Sequence, residues 1–76
     1  MFETLKGMLV DELQLNPEDI TPDSALANDL GINSIELADL VMLCEERFNV
    51  EFADDDIHKL ITIGDVVAYL EEHSAQ

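Results

Sequence analysis

Phe2, Leu5, Met8, Leu9 and Leu13 recur at three- and four-residue intervals, which predicts an amphipathic helix over residues 2–15. Asn16-Pro17 ends it in this reading, because the residue before a proline is pushed out of the helical region. From 16 to 33 the period disappears. Pro17, Pro22, Gly31 and several Asp and Asn mark a long loop, with Ile20, Leu26, Leu30 and Ile32 as apolar anchors. A loop of that length inside a compact domain either has a function or packs as a unit.

The helical period returns at Asn33-Ser34 and runs to about Asn49, with Leu37, Leu40, Val41, Cys44 and Phe48 as its core stripe. Asn33 is a good N-cap, and Glu36 three residues later completes a capping-box pair. Asp54-Asp55-Asp56 opens a short third helix that should turn Ile57, Leu60 and Ile61 inward. Thr62, paired with Asp65, caps a last helix through Ile63, Val66, Val67, Tyr69 and Leu70 to about His73. No segment alternates with strand period. The expected fold is all-α, one domain over residues 1–76: a four-helix bundle of three longer helices and one short helix, with a long loop between the first and second.

Size and charge narrow what such a bundle does. A chain of 76 residues buries only roughly 60% of its unfolded surface, too little to wall off a deep substrate cavity. Its 47% apolar content still supports a globular core. Eighteen acidic against three basic side chains give a formal net charge of −15. That surface repels phosphate backbones and anionic lipid heads, which argues against nucleic acid and membrane partners. It steers toward basic patches on other proteins, with on-rates that fall as salt rises. Cys44 is the single cysteine, so no disulfide forms within the chain and a reducing compartment is expected. No basic stretch followed by an apolar run opens the chain, and no apolar segment approaches the ~20 residues that span a bilayer. A cytoplasmic monomer is the expectation.

The sequence carries no HExxH, CxxC, GxxxxGK[ST] or GxGxxG. His58 and His73 occupy polar positions remote in sequence from Ser34, so nothing supports a nucleophile–base pair, and the chain reads as no enzyme. Neither Asn28-Asp29-Leu30-Gly31 nor Asp54-Asp55-Asp56 has the ligand spacing of a calcium loop. Cys44 falls on the inward stripe and reads as a small hydrophobe. On a helical wheel at ~100° per residue, Ile35, Asp39, Met42 and Glu46 of the second helix face water. An apolar pair ringed by acids suits transient docking, in which the acids orient and Ile35 and Met42 supply the desolvated contact. With Asn33 in the capping role, the Ser34 hydroxyl is left to point outward at a helix start, where the dipole and free amides favour a phosphate.

The string Leu30-Gly31-Ile32-Asn33-Ser34-Ile35-Glu36-Leu37 resembles the Leu-Gly-(apolar)-Asp-Ser-Leu motif of acyl carrier proteins. The resemblance extends through Val41-Met42, Glu45-Glu46-Arg47-Phe48, the acidic start of the third helix and Ile61-Thr62-Ile63, so it covers essentially the whole chain. It implies that Ser34 receives a 4′-phosphopantetheine arm from coenzyme A through a phosphopantetheinyl transferase, with acyl groups held on the arm's thiol as thioesters. It implies delivery to basic-surfaced acyltransferases, synthases and other acyl-processing enzymes of fatty acid, lipid or polyketide biosynthesis. An aminoacyl or peptidyl carrier, or a carrier-like docking domain that stays unmodified, are the alternatives. By matching position the resemblance assigns partner contacts to Glu36, Asp39, Met42, Glu45 and Glu46, with Asp54, Asp55 and Asp56 secondary and Asn33 and Ile35 beside the serine. Three residues depart from the family pattern. Asn33 stands where Asp is usual, removing a partner for a basic contact from the transferase; Ile35 replaces Leu, and Arg47 places a cation on an acidic helix. These departures imply slow modification by a generic transferase or use of a dedicated one, in a specialised carrier.

Overall fold

In the computed structural model, which describes residues 1–73, four α-helices follow in order: α1 (Phe2–Leu13), α2 (Ser34–Phe48), α3 (Asp54–Ile57) and α4 (Ile63–His73). Residues 74–76, which the single-domain expectation includes, lie outside the described residues. The described residues contain no strand, in agreement with the all-α reading; an isolated antiparallel bridge joins Ala25 to Thr62. The Cα radius of gyration is 11.1 Å, matching the ~11 Å expected of one folded domain of this length.

α1 packs against both α2 and α4, and the three stripes meet in one core. Leu5 and Leu9 from α1, Leu40 and Cys44 from α2, and Ile63, Val66 and Leu70 from α4 are fully buried. Phe2, Leu13, Leu37 and Phe48 sit at its margins, half-buried. The caps at α2 and α4 form as their sequences predict. The Asn33 side chain accepts from the Glu36 amide at 2.8 Å, and the Glu36 carboxylate accepts from the Asn33 amide at 3.3 Å. At α4, Thr62 Oγ1 accepts from the Asp65 amide at 3.2 Å while Asp65 Oδ2 accepts from the Ile61 and Thr62 amides, each at 3.0 Å.

Three expectations need correction. α1 stops at Leu13 rather than at 15: Gln14 turns left-handed at φ 56°, and the Leu15 amide donates back to the Leu9 carbonyl at 3.4 Å. That turn tucks Leu15 against the core before Pro17 is reached, so the apolar Leu15 overrides the proline as terminator. α3 is a single turn, and Leu60 and Ile61 lie beyond it. Ile61 is not inward but 63% exposed. Its carbonyl accepts from the Leu26 amide at 2.8 Å beside the Ala25–Thr62 bridge, which holds this connection between α3 and α4 against the loop. Leu60 and Ile63 are buried there and Ile61 is left exposed.

The long loop is built and not slack. It contains a single 3₁₀ turn at Pro17–Asp19, and Ile20, Leu26 and Ile32 are buried as anchors. Ser24 is its hub: Oγ donates to the Asp19 carbonyl at 2.7 Å and accepts from the Thr21 amide at 3.0 Å. The Ile63 amide donates to the Ser24 carbonyl at 3.0 Å and the Gly64 amide to the Pro22 carbonyl at 2.8 Å, tying the loop to the start of α4. A Cβ at Gly64 would meet that Pro22 oxygen at 2.9 Å, so this seam needs glycine.

Candidate functional site at the start of helix 2

Gly31, at φ +69°, takes the left-handed turn that brings the loop to α2 and is unfavourable for side chains other than glycine. Asn33 follows in extended conformation as N-cap, and Ser34 is the first helical residue. Ser34 is exposed. Because Asn33 and Glu36 cap each other, the Ser34 hydroxyl is not enlisted in the cap. The free backbone amides of the first turn and the positive end of a 15-residue helix lie beside it.

Next to Ser34 opens a cleft of about 220 Å³. One wall is Ile32, Ser34 and Leu37; the other is the loop segment Ala25–Asn28 together with Leu60 and Ile61. The Ala25–Thr62 bridge fixes the second wall. Sequence reasoning missed this wall, since a loop-to-loop bridge leaves no periodic signal, and the Thr62–Asp65 cap marks only its far end. Exposed Ile61 stands at the cleft and exposed Ile35, at 75%, stands beside the serine.

The acidic residues divide by what they already hold. Asp39, Glu46, Asp54 and Asp55 are exposed, as is Met42 at 59%. Glu36 is half-buried in the cap, and Glu45 Oε2 accepts from the Phe52 amide at 2.9 Å. Asp56 accepts from the Tyr69 hydroxyl at 3.0 Å and lies 3.8 Å from the Lys59 ammonium. Glu45 and Asp56 thus anchor the segment leading into α3. Tyr69 is the other anchor, which the sequence did not single out. Its hydroxyl shares its proton between Asp56 and the Glu51 carbonyl at 3.3 Å, and accepts from the Ala53 amide at 3.4 Å. Its ring stacks on Phe52 at 4.5 Å and on His73 at 4.0 Å.

Buried Cys44 offers no chemistry here: burial, reinforced by the Glu45 charge, pushes its thiol up to about 12. No group of three or more metal-ligating side chains converges among the described residues, and none of their helices is long and apolar enough to cross a membrane.

Fold and site together define a small helical module that displays one uncommitted hydroxyl at a helix start, among acids. A family model described as the phosphopantetheine attachment site matches residues 3–70. The acyl carrier protein of Wolinella succinogenes is 41% identical over 71 residues, covering 93% of each chain. That of Chlamydia trachomatis is 41% identical over 71 residues, covering 93% of this chain and 92% of its own. The acyl carrier protein of Clostridium perfringens is 39% identical over 74 residues, covering 97% of each. The chain belongs to the phosphopantetheine-bearing family of acyl carrier proteins.

The prosthetic group of this family, 4′-phosphopantetheine, fits the residues present. An exposed hydroxyl is accessible for esterification, and the helix start favours a phosphate by ~0.3–1 kcal/mol. The adjoining cleft, at about 220 Å³, is smaller than the ~300–1,000 Å³ that encloses a drug-sized ligand, so it has room for only part of such an arm.

Proposed function

We propose that the chain is an acyl carrier: a substrate and shuttle, not a catalyst, whose arm is joined through Ser34 Oγ as a phosphodiester. The observation that carries this is the exposed Ser34 hydroxyl at the first position of α2, left uncommitted by the Asn33–Glu36 cap. The arm supplies a terminal thiol that activates acyl groups as thioesters. The protein's own residues present it. Gly31 and the cap fix where the hydroxyl emerges, and the Ala25–Thr62 bridge holds the cleft beside it in shape.

Exposed Ile35, Asp39, Met42 and Glu46, with Asp54 and Asp55, supply the surface that meets a phosphopantetheinyl transferase and the acyl-processing enzymes of fatty acid synthesis. Acids steer a basic partner to the face, and the two apolar side chains give the desolvated contact. Glu36, Glu45 and Asp56 contribute charge to that surface while held by intramolecular bonds. Asn33 caps as an Asp would but offers no charge to a basic side chain of the transferase.

Incubating the apo protein with coenzyme A and a promiscuous phosphopantetheinyl transferase should add one phosphopantetheinyl group by intact mass, and Ser34→Ala should add none. Labelling that persists in Ser34→Ala, or no labelling by several transferases, overturns the assignment.

A further inference from the structure

On a protein with eighteen acidic side chains, no charged residue lines the cleft beside Ser34. Its floor is apolar, with Leu26, Ile32 and Leu60 buried and Leu37 half-buried. Besides the Ser34 hydroxyl, its polar side chains are two exposed carboxamides: Asn33 on the α2 side and Asn28 on the loop wall.

The Asn33 carboxamide is already oriented. The Glu36 backbone amide only donates, and at 2.8 Å it fixes Oδ1 toward the helix. Nδ2 lies on the other side of the group, and among the described residues it donates to no acceptor. The Asn28 side chain is likewise in no hydrogen bond among them. An Asp at position 33 would make the same cap but could not donate to a phosphate, since an ionised carboxylate and a phosphate both only accept. Asn33 caps and still has a donor to give.

We propose that Asn28 and Asn33 are positioning residues for the arm. Asn33 Nδ2 donates to the phosphate joined to Ser34 Oγ, and Asn28 pairs with an amide farther along, so that the near part of the arm lies across the cleft. The proposal rests on the carrier reading, which supplies the occupant. The chemistry of 4′-phosphopantetheine matches the lining in order: a phosphate that needs donors, a dimethyl-substituted carbon for the apolar floor, and secondary amides that both donate to and accept from a carboxamide. A carboxylate on either wall would repel the phosphate. With room for only part of the arm, the cleft leaves the thiol end outside. A partner enzyme therefore meets an arm that leaves the carrier in one direction, and breaks those hydrogen bonds to draw it away.

The test uses the full chain, isotope-labelled, before and after arm transfer. On attachment the side-chain amide resonances of Asn28 and Asn33 should shift. Those of Asn16, which caps the 3₁₀ turn, and of Asn49, at the far end of α2, should stay in place. Asn33→Ser and Asn33→Asp both keep a capping oxygen but lose the donor. With the arm's methyl groups labelled through coenzyme A, their relaxation should report a held-to-free ratio lowered on the order of threefold by Asn33→Ser. Asn33→Asp should lower it further, because it adds repulsion. Asn28→Ala, at an exposed turn position, should release the arm to a similar extent as Asn33→Ser. A residue that only caps would leave arm relaxation unchanged in both Asn33 variants. If no arm attaches at Ser34, the carrier reading falls and this proposal with it. If the arm attaches but the Asn28 signals do not move, or relaxation is the same in wild type, Asn33→Ser and Asn33→Asp, this proposal alone is overturned.

Discussion

At the start of α2 the amides of Asn33 and Glu36 find partners in each other's side chains, which leaves the neighbouring hydroxyl free for chemistry. Replacing Asn33 by Ala removes the cap and should cost ~0.5–2 kcal/mol, read as a shift in the urea midpoint. Asn33→Asp keeps the cap and restores a negative charge beside Ser34. It should raise the rate of arm transfer by a transferase with a basic binding surface, and an unchanged rate would show that this contact is not made. Cys44 gives a second test at this scale. Being buried, with its thiol raised to about 12, it should stay inert to a thiol reagent under native conditions. Native thiol titration therefore counts none in the apo protein and one after arm transfer, and Cys44 reacts only after unfolding.

At the scale of elements, the short α3 is held less by its own helix than by what reaches it. Tyr69 bonds the backbone at Glu51 and Ala53 and the Asp56 side chain, and Glu45 bonds the Phe52 amide. Tyr69→Phe should destabilise the fold by ~0.5–1.5 kcal/mol and raise amide exchange first in residues 51–57, where the anchor is lost. Desolvation, with the Asp56 contact adding to it, raises the Tyr69 phenol above its ordinary value. The folded state thus favours the neutral phenol, and that stabilisation is complete below the unfolded value of ~10 and lost as pH rises through the folded one. Asp65 behaves in the opposite sense. Backbone hydrogen bonds from Thr62 and Ile61 lower its carboxyl, so its contribution is present above the unfolded value of ~3.9 and fades as pH falls through the folded one. Melting curves across acid and alkaline pH, compared with Asp65→Asn and Tyr69→Phe, separate the two.

The elements also show what a sequence reveals. The three longer helices, both side-chain caps and the outward face of α2 follow from period and capping chemistry, because both are local. Ile61, the end of α1 at Leu13, the Ser24 hub and the second wall of the cleft depend on the fold. Each is set by a contact across the chain: Ile61 with Leu26, Leu15 with the core, Ser24 with Asp19 and Ile63. Ser34 was legible through its capping context and family motif.

For the molecule as a whole, charge outweighs every other surface property. Net charge of −15 on 76 residues repels itself in the compact state. Sodium chloride, and magnesium at lower concentration, should therefore raise the melting temperature; a melt indifferent to both would mean that the carboxylates are spaced too widely to repel. Stability of a chain this size is on the order of 4–11 kcal/mol. A core truncation such as Leu9→Ala or Leu40→Ala, each costing ~2–5 kcal/mol, removes a large part of it and should be read by denaturation at low temperature.

The carrier role depends on where the arm sits, and peptide mapping of the protein isolated from its own host tests that most directly. Trypsin, cutting after Lys6 and Arg47, releases residues 7–47, which contain two serines, Ser24 and Ser34. Ser24 is buried and donates to the Asp19 carbonyl, whereas Ser34 is exposed. Fragmentation should place one phosphopantetheinyl group on Ser34, with or without an acyl load, and leave Ser24 bare. An arm on any other residue, or a chain that carries none, would contradict the account.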